Sequence, residues 1–436
     1  MLSVDEARSK SLELHIAPRS ELCAVERCGG RRLVNSLYAS DPLPRWDHSA
    51  MDGYAMGMGD AQAGQVAEVV EVIPAGTWPE RALEPGEAAR IFTGAPIPRG
   101  AEVVVLQEDT EALSQHDAQS DDSKDLGQVR ILESAQLGQH IRRRGEEWAR
   151  DELIASAKTP LNPGLLGLCA AQGLAELEVF ARPRVALLET GSELVRPGLS
   201  LSGAQIYATH AATLRAMIEQ SGGQLTQAAS VSDSVDEVVE MISALRDDGV
   251  DLIITTGGVS VGDFDPLHAA LERLGAERRF WKVRMKPGKP VSVASLPNAM
   301  NQTPIMSLPG NPVSCVVSYL LFVHPLIQRA AGVPEGELGL KVVEATLAEP
   351  LIKRHHRAEF MRVRLTRVSR EMFGEVPPSL STPRWRCERT GGQSSAWISS
   401  VAQGDGLLHI PETPVEWDEG QRVMVSLFPW VDLNRV

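Results

Sequence analysis

The stretch that decides the fold runs Asp251-Leu252-Ile253-Ile254-Thr255-Thr256-Gly257-Gly258-Val259-Ser260-Val261-Gly262-Asp263-Phe264-Asp265-Pro266. It opens with a short apolar run that is too short for a helix and is typical of a buried parallel strand. A glycine-rich turn follows, after which Asp265 and Pro266 suit the N-cap and first position of a helix. Apolar residues then repeat at helical spacing from Leu267 until Gly275. The order of strand, glycine loop and helix predicts an α/β domain.

The glycine loop in this stretch suits an anionic ligand. Its turn exposes backbone N–H groups beside the positive end of a helix. The hydroxyl groups of Thr255, Thr256 and Ser260 add further donors. The alternative is an ordinary tight turn that binds nothing, because glycine pairs are common wherever a strand must reverse. The loop alone leaves both interpretations open.

The composition is that of a large globular protein with several domains. The chain has 436 residues, and a chain of this length is expected to fold into about three domains. Its 43% hydrophobic and 23% charged residues are ordinary for a globular protein. No apolar run approaches the roughly 20 residues of a membrane helix, and the N-terminus lacks the apolar segment of a secretory signal. We therefore expect a cytoplasmic protein that does not bind a membrane.

Net charge and cysteine usage exclude further classes. The formal net charge of −14 argues against non-specific nucleic-acid binding, which needs a basic surface. The cysteines are odd in number and lack paired CxxC spacing, so they indicate neither a disulfide framework nor a zinc site. They are Cys23, Cys28, Cys169, Cys315 and Cys387.

The order of patterns along the chain predicts a multidomain α/β plus β fold. Residues 183–330 alternate strands with helices, which predicts a central, mostly parallel α/β sheet domain. Residues 1–45 and 146–182 are expected to form a segmented N-terminal α domain. Short β-like runs in residues 46–145 predict a β domain inserted within it. Residues 331–436 predict a small C-terminal β barrel.

Three local features belong to these domains. Apolar spacing predicts a second N-terminal helix around Leu22 to Leu37. β-forming residues predict a strand at Trp397 to Val401. The segment from Glu111 to Gln128, rich in Asp, Ser and Gln, is expected to be a solvated loop between two strands. We assign no function to that loop.

Ligands of open α/β sheets bind beyond the carboxyl ends of the strands. Four loops in the α/β domain carry distinctive residues: Glu189–Glu193, Thr256–Ser260, Lys286–Pro290 and Leu308–Ser314. Together they provide two helix N-termini, lysines held between prolines and glycines, and the carboxylates of Glu193 and Asp265. A divalent metal and a phosphate ester need such groups. Each loop alone is open to interpretation as an ordinary connection, but their combination favours a binding site.

Six segments resemble the signature motifs of a known family. They are Ser49–Ala55, Ile91–Pro98, Arg142–Glu146, Thr256–Gly262, Lys286–Pro290 and Leu308–Ser314. In this order they resemble the molybdopterin molybdenumtransferases, the MoeA family, to which the E domain of gephyrin is similar. The motifs extend from about residue 45 to residue 315, with looser similarity towards both ends.

The resemblance implies an enzyme of molybdenum cofactor biosynthesis. Such an enzyme takes adenylylated molybdopterin and molybdate, cleaves the adenylate in a step that depends on Mg²⁺ or another divalent metal, and releases AMP and molybdenum cofactor. The resemblance also implies a homodimer in which the cleft lies between the α/β domain of one subunit and the β domain of the other. A molybdopterin adenylyltransferase is the implied protein partner.

The resemblance carries over to individual residues. It implies catalytic roles for Asp52, Thr93, Glu193 and Asp265, and metal binding by Asp52, Glu193 and Asp265. It implies substrate binding by Thr256, Gly257, Gly258, Ser260, Asp233, Lys286, Lys289, Asn311, Ser314, Arg362 and Ser395. Arg362 and Ser395 match groups proposed to bind molybdate, and a guanidinium suits a tetrahedral oxyanion. Because Arg362 follows a basic run at Lys353–Arg357, a solvated basic face is the alternative.

The sequence departs from the family pattern at three places. Ser192 stands where Asp is usual, Ala208–His210 stands where Asp-Thr/Ser-Asn is usual, and Glu147 replaces Asp. A non-catalytic carrier or scaffold that binds molybdopterin therefore stays open beside the enzyme. The molybdopterin adenylyltransferase is a further alternative, but it typically has Gly-Gly-Thr-Gly after the strand. This chain has Gly-Gly-Val-Ser-Val-Gly there, with additional β domains.

Overall fold

The protein is described here by a computed structural model that covers residues 1–113, 126–258, 266–298, 302–368 and 385–432. The chain forms two compact units. The first unit comprises Met1–Val34, Lys158–Asn162 and the chain from Glu176 onward, and the second comprises Asn35–Ala157 with Pro163–Ala175. The finer division into four domains stays a prediction.

The elements up to residue 182 are mostly short strands. In chain order they are α1 (Val4–Leu12), β1 (Ser20–Ala24), β2 (Leu37–Tyr38), β3 (His48–Ser49), β4 (Gly53–Met56), β5 (Val66–Ile73), β6 (Glu87–Ile91), β7 (Val103–Leu106), β8 (Thr110–Ala112), β9 (Gln128–Ile131), β10 (Ile141–Arg142), β11 (Leu153–Ala155), α2 (Pro163–Ala171) and β12 (Glu176–Phe180).

The following elements alternate strands with helices and then return to strands. The alternating part contains β13 (Arg184–Thr190), β14 (Leu194–Val195), β15 (Ile206–Tyr207), α3 (His210–Gln220), β16 (Gln224–Val231), α4 (Val235–Asp247), β17 (Leu252–Thr256), α5 (Pro266–Arg273), β18 (Glu277–Trp281), β19 (Met285–Lys286), β20 (Ser292–Pro297), β21 (Gln302–Leu308), α6 (Pro312–Ser318) and α7 (His324–Ala330). The last part contains β22 (Val342–Leu347), β23 (Leu351–Lys353), β24 (Ala358–Arg367), β25 (Trp385–Arg389), α8 (Ser399–Ala402), β26 (Gly406–Ile410), β27 (Val415–Trp417) and β28 (Arg422–Leu427).

The central sheet of the first unit has the strand order β16-β13-β17-β21-β20-β18. The first four strands are parallel, and β20 and β18 are antiparallel to their neighbours. Every residue of β17 is buried, as its apolar sequence predicts. The predicted mostly parallel α/β sheet domain is therefore confirmed.

Helices cover both faces of this sheet. Val185 and Leu187 of β13 belong to a core that includes residues of α3, α6 and α7. Ala186 and Leu188, which point the other way, belong to a core with α4 and α5. Successive side chains of a strand alternate between faces, and a parallel sheet needs both faces covered. This explains why the strands are apolar along their whole length.

The segment Pro312–Ala330 is the longest apolar helix among the described residues. Its 19 residues meet the length and hydropathy of a membrane span, and most of it is buried inside the first unit. It consists of α6, a π-helical turn at Tyr319–Val323 and α7. Pro325 lies near the start of α7, where its missing N–H prevents a regular α-helical hydrogen bond. Burial in the core accounts for its apolar composition.

The C-terminal part of the first unit contains a closed barrel. The strands β24, β25, β22, β28 and β26 pair in this order, and β26 pairs again with β24. β19 joins the outside of this ring by parallel pairing with β24. The predicted small β barrel is confirmed, and it is connected to the α/β domain through β19.

The second unit is built around a mixed sheet with the order β7-β4-β6-β5-β9-β8. β5 and β6 are parallel, while β4 is antiparallel to both of its neighbours. Gly53 begins β4 where the backbone of β7 comes very close. An ideal Cβ atom on Gly53 would lie 1.9 Å from the carbonyl oxygen of Val105, so only glycine fits there.

Two predicted elements are wrong. The expected helix around Leu22 to Leu37 is instead β1, which pairs antiparallel with β12, followed by a 3-10 turn. The adjacent glycines Gly29 and Gly30 interrupt any helix, and Gly30 has a φ of 75°. The strand expected at Trp397–Val401 is replaced by the short helix α8. Residues 114–125 of the predicted acidic loop lie outside the described residues.

We predict that Gly53→Ala destabilises the second unit, because the added methyl group would overlap the β7 backbone. Overpacking of this kind costs about 1–3 kcal/mol of unfolding free energy. Gly59→Ala is the matched control, since an ideal Cβ there would meet no atom within 4 Å. Urea unfolding of the three proteins measures the difference. Equal stability of the two variants would contradict the close approach.

Candidate functional site

Three loops meet at the carboxyl edge of the parallel strands in the first unit. The Thr190 hydroxyl donates to the Thr256 carbonyl oxygen at 3.3 Å, and the Gly257 N–H donates to the Leu308 carbonyl oxygen at 3.2 Å. An ideal Cβ on Gly257 would lie 2.5 Å from the Thr190 carbonyl oxygen. One on Gly310 would lie 3.4 Å from the Gly257 Cα atom. The ends of β13, β17 and β21 therefore form one rim, which brings together three of the four loops that were predicted to share it.

The glycine loop after β17 contributes backbone rather than hydroxyl groups. Gly257 and Gly258 have φ values of 85° and 58°, which glycine adopts readily. Thr255 and Thr256 are buried, and their Oγ1 atoms have no hydrogen-bond partner within the described ranges. Ser260 and Asp265, to which we assigned substrate and metal contacts, lie outside the described residues.

An acidic cluster lies beside the first rim loop. The Ser192 backbone N–H and hydroxyl both donate to the Asp233 carboxylate at 3.3 Å. Glu193 is exposed, and its carboxylate lies against Gly191, where an ideal Cβ would be 2.7 Å from Glu193 Oε2. The structure thus brings Glu193 and Asp233 into neighbouring positions. A hydroxyl at position 192 satisfies Asp233, whereas the family's usual carboxylate would repel it.

A buried pair under this loop was missed from the sequence. Glu189 ends β13 and His210 begins α3, with 4.0 Å between Glu189 Oε1 and His210 Nδ1. Burial raises the pKa of Glu189, although backbone N–H groups of Ala211 and His210 oppose this. Burial also lowers the pKa of His210 to about 4. Burial therefore favours the neutral form of each residue in this pair. Only the alternation of β13 could have shown that Glu189 points inward.

The two lysines of the Lys286–Pro290 loop differ in their surroundings. Lys286 Nζ lies 2.8 Å from Glu359 Oε1, and His355 Nε2 lies 2.9 Å from Glu359 Oε2. Glu359 is buried on β24 of the barrel. Lys289 is exposed and has no side-chain partner among the described residues. The loop therefore offers one free cation and one that neutralises a buried carboxylate.

The start of α6 contacts a loop of the barrel. Asn311 is in the N-cap position, but its side chain makes no capping hydrogen bond. Ser314 is buried in the first turn. The Val313 N–H donates instead to the Ser395 carbonyl oxygen at 3.0 Å. The structure therefore brings Ser395 next to the helix start that carries Asn311 and Ser314.

Arg362 is part of the same region. It is 1% exposed, so the alternative of a solvated basic face is wrong for this residue. Its guanidinium donates to Ser400 Oγ at 3.1 Å and to the carbonyl oxygens of Ser394 and Phe360 at 3.2 and 3.4 Å. Burial lowers its pKa to about 10. Arg362 thus fixes the Ser394–Ser395 loop, and it stays a cation at neutral pH.

The second unit contains the other predicted pair. The Thr93 backbone N–H and hydroxyl donate to Asp52 Oδ1 at 2.8 and 2.7 Å. The antiparallel pairing of β4 with β6, which places Gly53 opposite Ile91, brings these residues together. Both residues are exposed. The Thr93 N–H and then its hydroxyl hold the pKa of Asp52 below its usual value, with a smaller contribution from Arg90.

The metal site is not assembled among the described residues. Within those ranges, no group of three or more His, Cys, Asp or Glu side chains is arranged to hold a metal ion. Asp52 and Glu193 belong to different compact units. Each nevertheless offers an exposed carboxylate of the kind that Mg²⁺ binds, and Mg²⁺ usually takes only one or two carboxylates together with water and substrate phosphates. These carboxylates suit the metal chemically.

The first unit has an α/β sheet domain joined to a closed barrel, and the second unit has a mixed β sheet. These features define a multidomain protein with a MoeA-like fold. Three family models match in chain order. They are the MoeA N-terminal region (domain I and II) at residues 2–173, the probable molybdopterin binding domain at residues 186–329, and the MoeA C-terminal region (domain IV) at residues 344–428.

Relatives match along the whole chain. Molybdopterin molybdenumtransferase 2 of Mycobacterium tuberculosis (strain ATCC 25618 / H37Rv) is 34% identical over 437 residues, covering 98% of this chain and 99% of that protein. Molybdopterin molybdenumtransferase of Bacillus subtilis (strain 168) is 30% identical, covering 100% and 97%. A crystal structure of the molybdopterin biosynthesis MoeA protein from Pyrococcus horikosii has a TM-score of 0.75 at 26% identity, covering 98% and 99%. This chain belongs to the MoeA family of molybdopterin molybdenumtransferases.

We predict that the two loop lysines differ in their effect on stability. Lys286→Gln removes the cation beside the buried Glu359 carboxylate and should cost about 1–3 kcal/mol of unfolding free energy. Lys289→Gln changes an exposed side chain and should cost less than about 0.5 kcal/mol. Calorimetric melting at pH 7.5 compares them. Equal melting temperatures would show that the pair with Glu359 does not contribute to stability.

Proposed function

We propose that this protein inserts molybdate into adenylylated molybdopterin, releasing AMP and molybdenum cofactor. The observation that carries the proposal is the match along 98% of the chain to a relative named molybdopterin molybdenumtransferase. The loops assigned to the site support it, because they combine an exposed lysine, a helix start and exposed carboxylates. Adenylylated molybdopterin has a pyrophosphate for which these groups are suited.

The oxyanion half of the proposed site lies in the first unit. Lys289 supplies an exposed ammonium group, Gly257 and Gly258 supply the backbone of the glycine loop, and Asn311 with Ser314 supply the helix start. Arg362 and Ser395 complete this half, with Arg362 holding the loop that carries Ser395. We assign molybdate to the Arg362–Ser395 region and the pterin phosphate to Lys286 and Lys289, with Thr256, Ser260 and Asp233 as further substrate-binding residues.

The carboxylate half of the proposed site comprises Asp52, Glu193 and Asp265. A Mg²⁺ ion bound there would neutralise phosphate charge and polarise a bound water molecule. The lowered pKa of Asp52 makes its carboxylate a weak base at neutral pH. We therefore favour Asp52 as a metal ligand over Asp52 as a general base. Thr93 orients the carboxylate through Oδ1, and Oδ2 has no hydrogen-bond partner within the described part of the chain.

The proposed assembly is a cytoplasmic homodimer in which each cleft uses both subunits. Asp52 and Thr93 would come from one copy, and the rim loops from the other. A molybdopterin adenylyltransferase is the proposed protein partner, because it would supply the adenylylated substrate. The alternative of a non-catalytic carrier rests on Ser192, Ala208 and His210. Ser192 donates two hydrogen bonds to Asp233, so a serine at position 192 is compatible with the neighbouring acidic residues.

We predict that Asp52→Asn reduces turnover by about 10²-fold or more, as removal of a metal-positioning carboxylate typically does. The assay measures AMP released from adenylylated molybdopterin with molybdate and Mg²⁺. The fold should be unchanged, because Asp52 is exposed and the amide oxygen still accepts from Thr93. Glu133→Gln, an exposed carboxylate change in the same unit, is the control.

The same assay separates the enzyme from the carrier. Retention of more than about a tenth of the activity by Asp52→Asn would contradict its catalytic role. Wild-type protein that binds the substrate but leaves it intact would contradict the transferase proposal and favour the carrier.

A further inference from the structure

Two tryptophans of the second unit contact each other on the surface. The ring centroids of Trp46 and Trp78 are 5.2 Å apart with an angle of 58° between the ring planes. The residues nevertheless remain 37% and 61% exposed. Large aromatic side chains are usually buried, and exposed groups of them mark binding surfaces. We call these two residues the tryptophan pair.

The tryptophan pair lies at the sheet edge that carries Thr93. β5 and β6 are parallel, with Ile73 opposite Ile91, so the loops that follow them leave the sheet at the same edge. Trp78 is in the loop after β5, and Thr93 is in the loop after β6. An ideal Cβ on Gly94 would lie 3.9 Å from the Ala75 Cβ. The two loops are therefore in contact near the Asp52–Thr93 pair.

The backbone beside Trp46 is held firmly. The Ile97 N–H donates to the Asp47 carbonyl oxygen at 3.0 Å. The Asp47 carboxylate accepts from the Arg144 backbone N–H and from Arg143 Nη1, both at 2.7 Å. Partial burial opposes ionisation of Asp47, but these hydrogen bonds bring its pKa below the usual value. Asp47, the residue after Trp46, thus links this backbone to Arg143 and Arg144.

The arginine segment supplies cations beside the aromatic surface. Arg142, Arg143 and Arg144 are all exposed. The Arg144 guanidinium has no ion pair or hydrogen bond with any of the described residues, and Arg142 has only a 3.5 Å contact with Glu146. Exposed arginines, of which Arg144 has no partner among the described residues, on a chain of net charge −14 point to an anionic ligand. An aromatic surface next to them suits a ligand that also has a planar ring.

We propose that the tryptophan pair stacks against the heteroaromatic ring of a phosphorylated ligand while Arg144 binds its phosphate. This rests on the proposed function, whose substrate has two such rings, adenine and pterin, each linked to a phosphate. Stacking on an aromatic side chain is sequence-tolerant because every planar base has a π face. Trp78, the more exposed member, provides most of the contact surface.

A second copy of this chain fits the same surface poorly. A two-fold self-contact through the tryptophan pair would bring two copies of the arginine segment together. Like charges placed opposite each other disfavour association. A small anionic ligand avoids this repulsion and pairs with the free guanidinium instead.

The test is calorimetric titration of the full chain with AMP, with pterin, and with ribose 5-phosphate as a probe that lacks a ring. Trp78→Leu should weaken binding of AMP or pterin by roughly 5- to 150-fold, the range for loss of one base-stacking contact. Ribose 5-phosphate should bind the variant as it binds wild type. Trp430→Leu is the control, because Trp430 is also partly exposed and stacks on Phe428 in the first unit.

A second variant separates the ring from the phosphate. Arg144→Gln should weaken AMP and ribose 5-phosphate together and leave pterin unchanged. If Trp78→Leu weakens the binding of AMP alone, adenine is the stacked ring. If Trp78→Leu weakens the binding of pterin alone, the pterin is the stacked ring.

The proposal is overturned if wild type binds neither ring, or if Trp78→Leu binds both as wild type does. It is also overturned if Trp78→Leu changes only the sedimentation coefficient, since the surface would then be a contact between copies. These binding measurements need no turnover. Failure of stacking is therefore distinguishable from failure of the transferase proposal, which the AMP-release assay tests separately.

Discussion

Both predicted half-sites depend on glycines at which another backbone comes too close for any side chain. Gly257 lies where an ideal Cβ would be 2.5 Å from the Thr190 carbonyl oxygen, and this brings the ends of β13, β17 and β21 into one rim. Gly53 directly follows Asp52, and an ideal Cβ on Gly53 would be 1.9 Å from the Val105 carbonyl oxygen. Close backbone packing fixes loops that would otherwise be free to move. Functional side chains can then be exposed without losing their positions.

The buried charges of Arg362 and Glu359 are satisfied mainly by partners that are distant in sequence. Arg362 donates to a serine side chain and two carbonyl oxygens, and Glu359 forms an ion pair with Lys286. Burying either charge alone would be costly. β19, which contains Lys286, pairs with β24, which contains both Glu359 and Arg362. The barrel therefore stabilises the lysine loop as well as extending the proposed anion site.

Local patterns predicted much of the fold, because the buried strand β17 and helices α4 and α5 have strong apolar periodicity. The pattern failed at Leu22–Leu37, where similar apolar spacing occurs in a strand and a turn. Local patterns also could not predict contacts between residues that are distant in sequence. No spacing indicates that Lys286 meets Glu359, or that Glu189 lies under the rim beside His210. The basic run before Arg362 suggested exposure, whereas β24 buries that side chain on the outer face of the barrel, against Ser394 and Ser400. The closeness of Asp52 and Thr93 was available only through resemblance.

The central proposal is that one copy supplies Asp52 and a second copy supplies the rim loops. The most direct test mixes equal amounts of Asp52→Asn protein and Lys289→Glu protein, and it measures AMP release once subunit exchange has been demonstrated. Each variant alone should be inactive. The mixture should recover about a quarter of the wild-type rate, because half of the dimers are mixed and one of their two clefts is intact. No recovery in the mixture would contradict the account, since each chain would then build its own site.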